Sequence, residues 1–202
     1  MPGNITPLIA GNWKMNGTSA ALAEIEALRT GIESIPQLRC EVLICPPATL
    51  ISRMADKARG SAIHVGGQDC HSQQSGAHTG DISAAMLSDA GATHVILGHS
   101  ERRTDYAETD AIVRAKTLAA LDVGLVPIIC VGETEAERLA GDALGVVERQ
   151  LQASIPDEAG SSPFVVAYEP IWAIGTGRTP TSDDLSQMHG AMRELLVKRF
   201  GD

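Results

Sequence analysis

The strongest constraint on the fold of this chain is a regular alternation of short apolar runs with longer helical patterns. The apolar runs are Leu8–Gly11, Cys40–Cys45, Ala62–Gly67, Thr93–Gly98, Leu125–Val131 and Phe164–Tyr168. The helical patterns are Ser19–Ile32, Ala48–Arg59, Ser83–Ala90, Thr109–Leu121, Glu133–Ala153 and Ser182–Phe200. Such βα units predict an α/β fold with one parallel sheet and right-handed crossovers, in a single domain over residues 1–202.

Two parallel architectures fit this alternation, a doubly wound open sheet and a closed (β/α)8 barrel. A nucleotide-binding open sheet favours G-x-G-x-x-G after its first strand, but the turn Gly11–Asn16 has one glycine. Polar residues instead follow several strands: Asn12, Lys14, Gln68, His99, Glu101, Glu133 and Glu169. A barrel gathers all its βα loops at one mouth, so the barrel is the favoured prediction.

Composition restricts the partners and the compartment. The formal net charge of −9 argues against nucleic acid or an anionic membrane surface as a partner. No apolar run is long enough to span a bilayer. The four cysteines form no CxxC pair, and Met1–Asn4 shows no secretory pattern, so a reducing cytoplasm is expected.

The segment Val165–Gly177 combines a strand, an acid and a hinged apolar stretch. Val165 and Val166 predict a strand buried on both faces, and Glu169 follows where it ends. The stretch after Pro170 is stiff until Gly175, which is typical of a lid that moves as one piece. The alternative is a buried connector whose glutamate caps the next helix.

His99 follows an apolar strand and Gly98, at the predicted amino end of a helical turn. The positive end of a helix disfavours an imidazolium, so a neutral, hydrogen-bonding ring is predicted; the alternative is a structural histidine. The remaining histidines have no ligand-like spacing and predict no metal site: His64, His71, His78, His94 and His189.

Two further segments carry candidate functional residues. Asn12 and Lys14 lie two positions apart after the first strand, so both side chains point to the same side and can hold a carbonyl oxygen and a phosphate. The alternative is a solvated pair. The long polar loop Gln68–Ile82 is predicted to dock into a second copy of the molecule, or else to be a flexible insertion.

Six sequence blocks together resemble the triosephosphate isomerase family. They are GNWKMN (Gly11–Asn16), GGQD (Gly66–Asp69), GAHTGD (Gly76–Asp81), VILGHSERR (Val95–Arg103), CVGE (Cys130–Glu133) and VVAYEPIWAIGTG (Val165–Gly177). The resemblance implies a (β/α)8 TIM barrel and the interconversion of dihydroxyacetone phosphate and glyceraldehyde 3-phosphate, a step of glycolysis and gluconeogenesis. It implies no metal and no organic cofactor.

The same resemblance implies roles for the residues of the predicted mouth. Glu169 would be the base that moves a proton between adjacent carbons. His99, Lys14 and Asn12 would stabilise the enediolate oxygens, and Lys14 and Asn12 would also bind substrate. Glu101 would be a partner of Lys14 and His99 that does not itself contact the substrate.

Further roles follow for the lid and the docking loop. Ser100 would hold Glu169 while the lid is open. Pro170–Arg178 would be the lid, with the Gly175 N–H on the substrate phosphate. Gln68 and Thr79 would belong to the loop that inserts into the partner of a homodimer.

The chain departs from the family in one respect, because six βα units are found where the family has eight. The sequence therefore predicts an incomplete barrel, truncated at the C-terminus, with the first and sixth strands as open edges. Family members draw most of their backbone donors to phosphate from the last two units. A catalytically inactive fragment that keeps only a self-association surface is thus the main alternative, and a barrel for another sugar phosphate is a weaker one.

Overall fold

The computed structural model describes residues 6–201, so the prediction for Met1–Asn4 lies outside the described residues. Six parallel strands form one sheet in the chain order β1 to β6, which confirms the predicted alternation. The strands are β1 (Leu8–Asn12), β2 (Glu41–Cys45), β3 (Ile63–Gly67), β4 (His94–Leu97), β5 (Val126–Val131) and β6 (Val165–Tyr168).

Eight α-helices connect or follow these strands within residues 6–201. They are α1 (Leu22–Glu33), α2 (Ile51–Ala58), α3 (Ala84–Asp89), α4 (Ser100–Asp105), α5 (Asp110–Asp122), α6 (Glu135–Leu139), α7 (Ala143–Ser154) and α8 (Ser182–Phe200). The predicted helical pattern at 133–153 divides into α6 and α7 around Gly141. Helix α4 is not among the six predicted helical patterns, because its sequence SERRTD has no apolar periodicity, but it supplies the helical turn that was predicted to begin at His99. None of the helices described here combines the length and hydropathy that a membrane crossing needs.

The sheet is curled, and each strand sends alternate side chains to its two faces. One apolar cluster fills the concave face, namely Leu43, Cys45, Ile96, Ile128 and Cys130. The larger cluster packs the helices against the opposite face and includes Val65, Val95 and Val131. This is the architecture of an incomplete (β/α)8 barrel, and it directs the carboxyl ends of all six strands to one mouth.

Strands β1 and β6 are the two edges of the sheet. The prediction that β6 is buried on both faces is wrong, because all four of its residues are only partly buried. Within residues 6–201, no strand pairs with the outer side of β6, so this side is accessible to solvent. A groove of about 870 Å³ lies between the two edges, lined by Leu8, Val165, Met192 and Phe200 among others.

Candidate active site

A pocket of about 330 Å³ opens where β1, β4 and β6 end. Its lining is Ala10, Asn12, Lys14, Cys45, Ile96, His99, Ile128, Cys130, Ala167, Glu169 and Ile174. The apolar members belong largely to the concave face of the sheet, whereas the polar members stand on the loops that follow the strands. The fold therefore brings together four side chains that the sequence analysis placed at the mouth.

Glu169 directly follows β6, and both its backbone and its side chain are held by hydrogen bonds. Its backbone N–H donates to the Val131 carbonyl at 2.8 Å, which extends the ladder to β5. Gly132 permits this approach, because a Cβ there would clash with the Glu169 carbonyl. The Glu169 carboxylate accepts from the Ser100 backbone N–H at 2.9 Å, and its other oxygen lies 3.0 Å from His99 Nε2.

His99 is the N-cap residue of α4, as expected from its place after β4. Its Nδ1 accepts a hydrogen bond from the Glu101 backbone N–H at 3.2 Å. Since Nδ1 uses its lone pair in this bond, the proton of a neutral ring lies on Nε2 and is donated to Glu169. His99 is only 7% exposed, so the orientation of its ring is fixed by packing as well as by these two bonds.

The turn that carries Asn12 and Lys14 has a strained backbone conformation, which hydrogen bonds stabilise. Lys14 has a φ of 52°, a conformation that few residues other than glycine adopt. Asn12 Oδ1 accepts from the Lys14 N–H at 2.8 Å, and Gln68 Nε2 donates to the Lys14 carbonyl at 2.9 Å. Gln68 also donates to the Cys45 carbonyl at 2.8 Å. These bonds hold the turn in a conformation that aims the ammonium at the mouth.

Lys14 Nζ lies 2.7 Å from Glu101 Oε1. This hydrogen bond, together with the charge of Lys14, lowers the pKa of the Glu101 carboxyl against the opposing effect of burial. Glu101 therefore contacts Lys14 with its side chain and His99 with its backbone, which is the supporting position predicted for it.

The residues assigned to the docking loop occupy two different environments. Gln68 lies at the base of the loop, and its side chain binds backbone carbonyls of its own chain rather than pointing outward. Thr79 is exposed near the tip and does not line the pocket. The outer part of the loop, which carries Thr79, is therefore exposed, whereas its base is tied to its own chain.

The predicted lid, Pro170–Arg178, is docked against α6. It begins with a 3-10 turn over Ile171–Ala173, and Ile174 reaches the pocket lining. Arg178 pairs with Glu135 at 2.6 Å. Gly175 has a φ of 70°, a conformation that a side chain would strain, at the point where the lid turns back.

Glu133 anchors the lid, a role that sequence reasoning missed. Its side chain is fully buried, and one oxygen accepts from Trp172 Nε1 at 2.8 Å and from Tyr168 Oη at 3.0 Å. Arg138 Nη1 donates to the same oxygen at 3.1 Å. This role could have been suggested by the sequence, because an acid follows β5 and because Tyr168 and Trp172 each carry one polar atom that needs a partner when buried.

Cys130 lines the pocket without the character of a nucleophile. Burial, and then the negative charge of Glu169, raise the pKa of its thiol well above the ordinary value. A neutral buried thiol is a packing residue, because the thiolate is the reactive form.

Comparison with known proteins bears on the identity of this site. The family model "Triosephosphate isomerase" matches residues 7–202. Triosephosphate isomerase of Afipia carboxidovorans is 60% identical over 200 residues, which cover 99% of this chain and 79% of that protein. The Xanthobacter flavus enzyme is 58% identical over 195 residues, 96% of this chain and 77% of that protein.

A solved structure gives the same result at the level of the fold. The crystal structure of triosephosphate isomerase from Bartonella henselae matches with a TM-score of 0.90 and 51% identity, over 98% of this chain and 78% of that one. Since sequence and fold agree over nearly every residue, this chain belongs to the triosephosphate isomerase family.

Proposed function

We propose that this protein interconverts dihydroxyacetone phosphate and D-glyceraldehyde 3-phosphate by a proton shift through an enediolate. The observation that carries the proposal is the pair formed by Glu169 and the His99 Nε2–H, 3.0 Å apart in one pocket. A carboxylate base beside a neutral donor is the arrangement that proton abstraction next to a carbonyl requires.

The reaction begins when Glu169 removes a proton from C1 of dihydroxyacetone phosphate. The electrons of that C–H bond form the C1–C2 double bond, and the carbonyl oxygen on C2 becomes negatively charged. His99 Nε2–H donates to this oxygen, while the Lys14 ammonium stabilises its charge and Asn12 helps to orient the substrate.

The second half of the reaction returns the proton at the neighbouring carbon. His99 gives its Nε2 proton to the oxygen on C2 and takes the hydroxyl proton from the oxygen on C1. Glu169 then delivers its proton to C2, and the C1–O bond becomes the aldehyde. All protons are conserved, and every group returns to its starting state.

Substrate must displace the two donors that bind the Glu169 carboxylate. The Ser100 N–H and His99 Nε2–H now occupy both oxygens of Glu169. We infer that closure of Pro170–Arg178 releases Glu169 from Ser100 and brings the Gly175 N–H to the phosphate. Exclusion of water then prevents the enediolate from expelling phosphate.

The assembly and the compartment belong to the same proposal. We infer that the outer part of the loop Gln68–Ile82 enters a second copy of the chain in a homodimer, and the exposure of Thr79 supports this. Cytoplasmic location agrees with Cys45, Cys70 and Cys130, which are free and buried thiols. The reaction uses side chains alone and needs no metal or organic cofactor.

The decisive experiment is turnover of glyceraldehyde 3-phosphate in D₂O, coupled to reduction of the product. The expected product carries solvent deuterium at C1, because a carboxyl proton on Glu169 exchanges with solvent during the reaction. Product without any deuterium would point to hydride transfer and overturn the mechanism. Absence of turnover in a folded preparation would overturn the proposed function itself.

A further inference from the structure

We propose that Gln150, on helix α7, is a positioning residue for the candidate base Glu169. This inference rests on the proposed function, because it gives Gln150 a part in the same proton transfer. Gln150 lies outside the lining of the pocket that contains Glu169. Its effect passes through Gly132, the residue that follows β5, and two hydrogen bonds form that connection.

Gln150 occupies a position on α7 where the helical pattern favours an apolar residue. The buried residues of this helix are Val146, Val147, Leu151 and Ser154, at the spacing of one helix face. Gln150 lies four positions after Val146 and four before Ser154, so its side chain points to the same face. A glutamine on this face needs hydrogen-bond partners, because an unpaired amide is costly to bury.

The side-chain amide of Gln150 forms two hydrogen bonds with the backbone of one residue. The Gly132 N–H donates to Gln150 Oε1 at 2.8 Å, and Gln150 Nε2 donates to the Gly132 carbonyl at 3.0 Å. A backbone N–H can only donate and a carbonyl can only accept, so this pairing fixes the orientation of the amide. Strand β4 ends at Leu97, opposite Ile129, and therefore stops short of Gly132. The glutamine amide takes the place of the peptide group that a longer β4 would present there.

Gly132 packs directly against the backbone of Glu169. A Cβ on Gly132 would overlap the Glu169 carbonyl. The Val131 carbonyl, one residue earlier, accepts from the Glu169 N–H at 2.8 Å. The Glu133 carbonyl, one residue later, accepts from the Ile171 N–H at 3.2 Å. A shift of Gly132 therefore moves the backbone from which the Glu169 carboxylate projects.

The position of a general base controls the rate of proton transfer. A displacement of about 1 Å at a reacting group can lower turnover about 100-fold. Asn12 and Lys14, which contact the substrate in the proposed reaction, stand after β1 on a different strand of the mouth. Turnover should therefore depend on Gln150 more than substrate binding does, and the expected signature is a lower kcat with little change in KM.

The test compares Gln150→Met with Gln152→Met in steady-state kinetics with glyceraldehyde 3-phosphate. Methionine has a similar length to glutamine but cannot form either bond to Gly132. Gln152 is exposed on the same helix and donates to Glu148 at 3.0 Å, so it is the matched control. We expect a kcat about 10-fold lower in Gln150→Met, a KM changed by less than ~2-fold, and wild-type kinetics in Gln152→Met. Gln150→Asn keeps the amide but is one carbon shorter, and should lose as much as Gln150→Met.

A double-mutant cycle separates a positioning role from a purely structural one. In the Glu169→Gln background the base is already absent, so Gln150→Met should lower the residual kcat by less than ~2-fold. A change that only loosened the fold would lower kcat equally in both backgrounds, and this result would overturn the proposal. Equal kcat values for Gln150→Met and Gln152→Met would also overturn it, while the proposed function would stand.

Hydrogen exchange gives a readout that does not depend on catalysis. The Glu169 N–H, which is bonded to Val131, should exchange about 10-fold faster in Gln150→Met than in Gln152→Met, because the segment after β5 opens more readily. Equal exchange rates would overturn the inference. Absence of turnover in the wild type would overturn the proposed function, and the exchange rates would then decide by themselves whether Gln150 holds the backbone of Glu169.

Discussion

Two glutamates follow neighbouring strands at the same end of the sheet, Glu133 after β5 and Glu169 after β6. Glu133 is fully buried, and three donors from β6, the lid and α6 converge on one of its oxygens. Its other oxygen is buried without a hydrogen-bond partner in residues 6–201. Glu169 remains 16% exposed, and its two oxygens accept from Ser100 and His99.

The difference lies in the partners rather than in the residue type. The donors to Glu133 are large side chains that pack around it, so no small molecule can take their place. The donors to Glu169 are one backbone N–H and one imidazole N–H at the edge of a pocket, and a substrate can displace both. The same carboxylate therefore serves as a structural anchor after one strand and as a candidate base after the next.

The largest expected effect is loss of turnover in Glu169→Gln. The amide cannot accept the substrate proton, so kcat should fall by about 10²–10⁴-fold, the usual contribution of a general base. The free energy of unfolding should change by only about 1 kcal/mol, because the amide oxygen keeps one of the two hydrogen bonds and the side chain is partly exposed to water. Steady-state kinetics and urea denaturation measure the two effects. Glu24→Gln on the exposed face of α1 is the control, and equal activity in both variants would refute the assignment.

Glu133→Ala should show the opposite pattern, with its main effect on stability. Removal of the carboxylate leaves Arg138, Tyr168 and Trp172 with unpaired donors, so the free energy of unfolding should fall by about 3 kcal/mol. Urea denaturation at equilibrium measures this loss. Glu24→Ala should change the same quantity by less than about 0.5 kcal/mol. If the two alanine variants are equally stable, Glu133 is not an anchor.

Trp172→Phe sharpens the comparison, because it removes one of the three bonds to Glu133 and keeps an aromatic ring. The free energy of unfolding should fall by about 1 kcal/mol, the net value of one hydrogen bond. Arg138 lies over the Trp172 ring at 4.8 Å and can keep a similar contact with phenylalanine. A loss as large as that of Glu133→Ala would mean that the ring, and not the bond to Glu133, holds the lid.

The smallest expected effect concerns pH and the Lys14–Glu101 pair. The pKa of Glu101 is lowered in the folded protein, so the pair stabilises the fold above the ordinary value of 4.5. The contribution is lost as the pH falls below 4.5 and through the lowered pKa. Denaturation curves of wild type and Glu101→Gln should therefore differ at neutral pH and converge in acid. A difference that grows on acidification would contradict the assignment. Both side chains are partly exposed, so the effect is small.

The sequence predicted much of the mouth because its signals are local. Glu169 and His99 each come directly after an apolar run, and the carboxyl ends of parallel strands meet at one edge. The same reasoning placed Asn12 and Lys14 correctly in the pocket lining. The family assignment, which rested on six blocks in combination, is confirmed by the comparisons.

Other features depend on pairs of residues that are far apart in the chain. Gln68 binds the carbonyl of Lys14, 54 positions away, and Trp172 binds Glu133, 39 positions away. No local sequence pattern predicts either hydrogen bond.

The sequence by itself determined the order of strands and helices and the end of the sheet that carries polar residues, since hydrophobic periodicity and the positions of glycine and proline act over a few residues. The tertiary structure alone decided which donor reaches which carboxylate oxygen. Those distances depend on how far the sheet curls and how closely neighbouring strands approach, and for this reason one glutamate is enclosed while the other stays open to substrate.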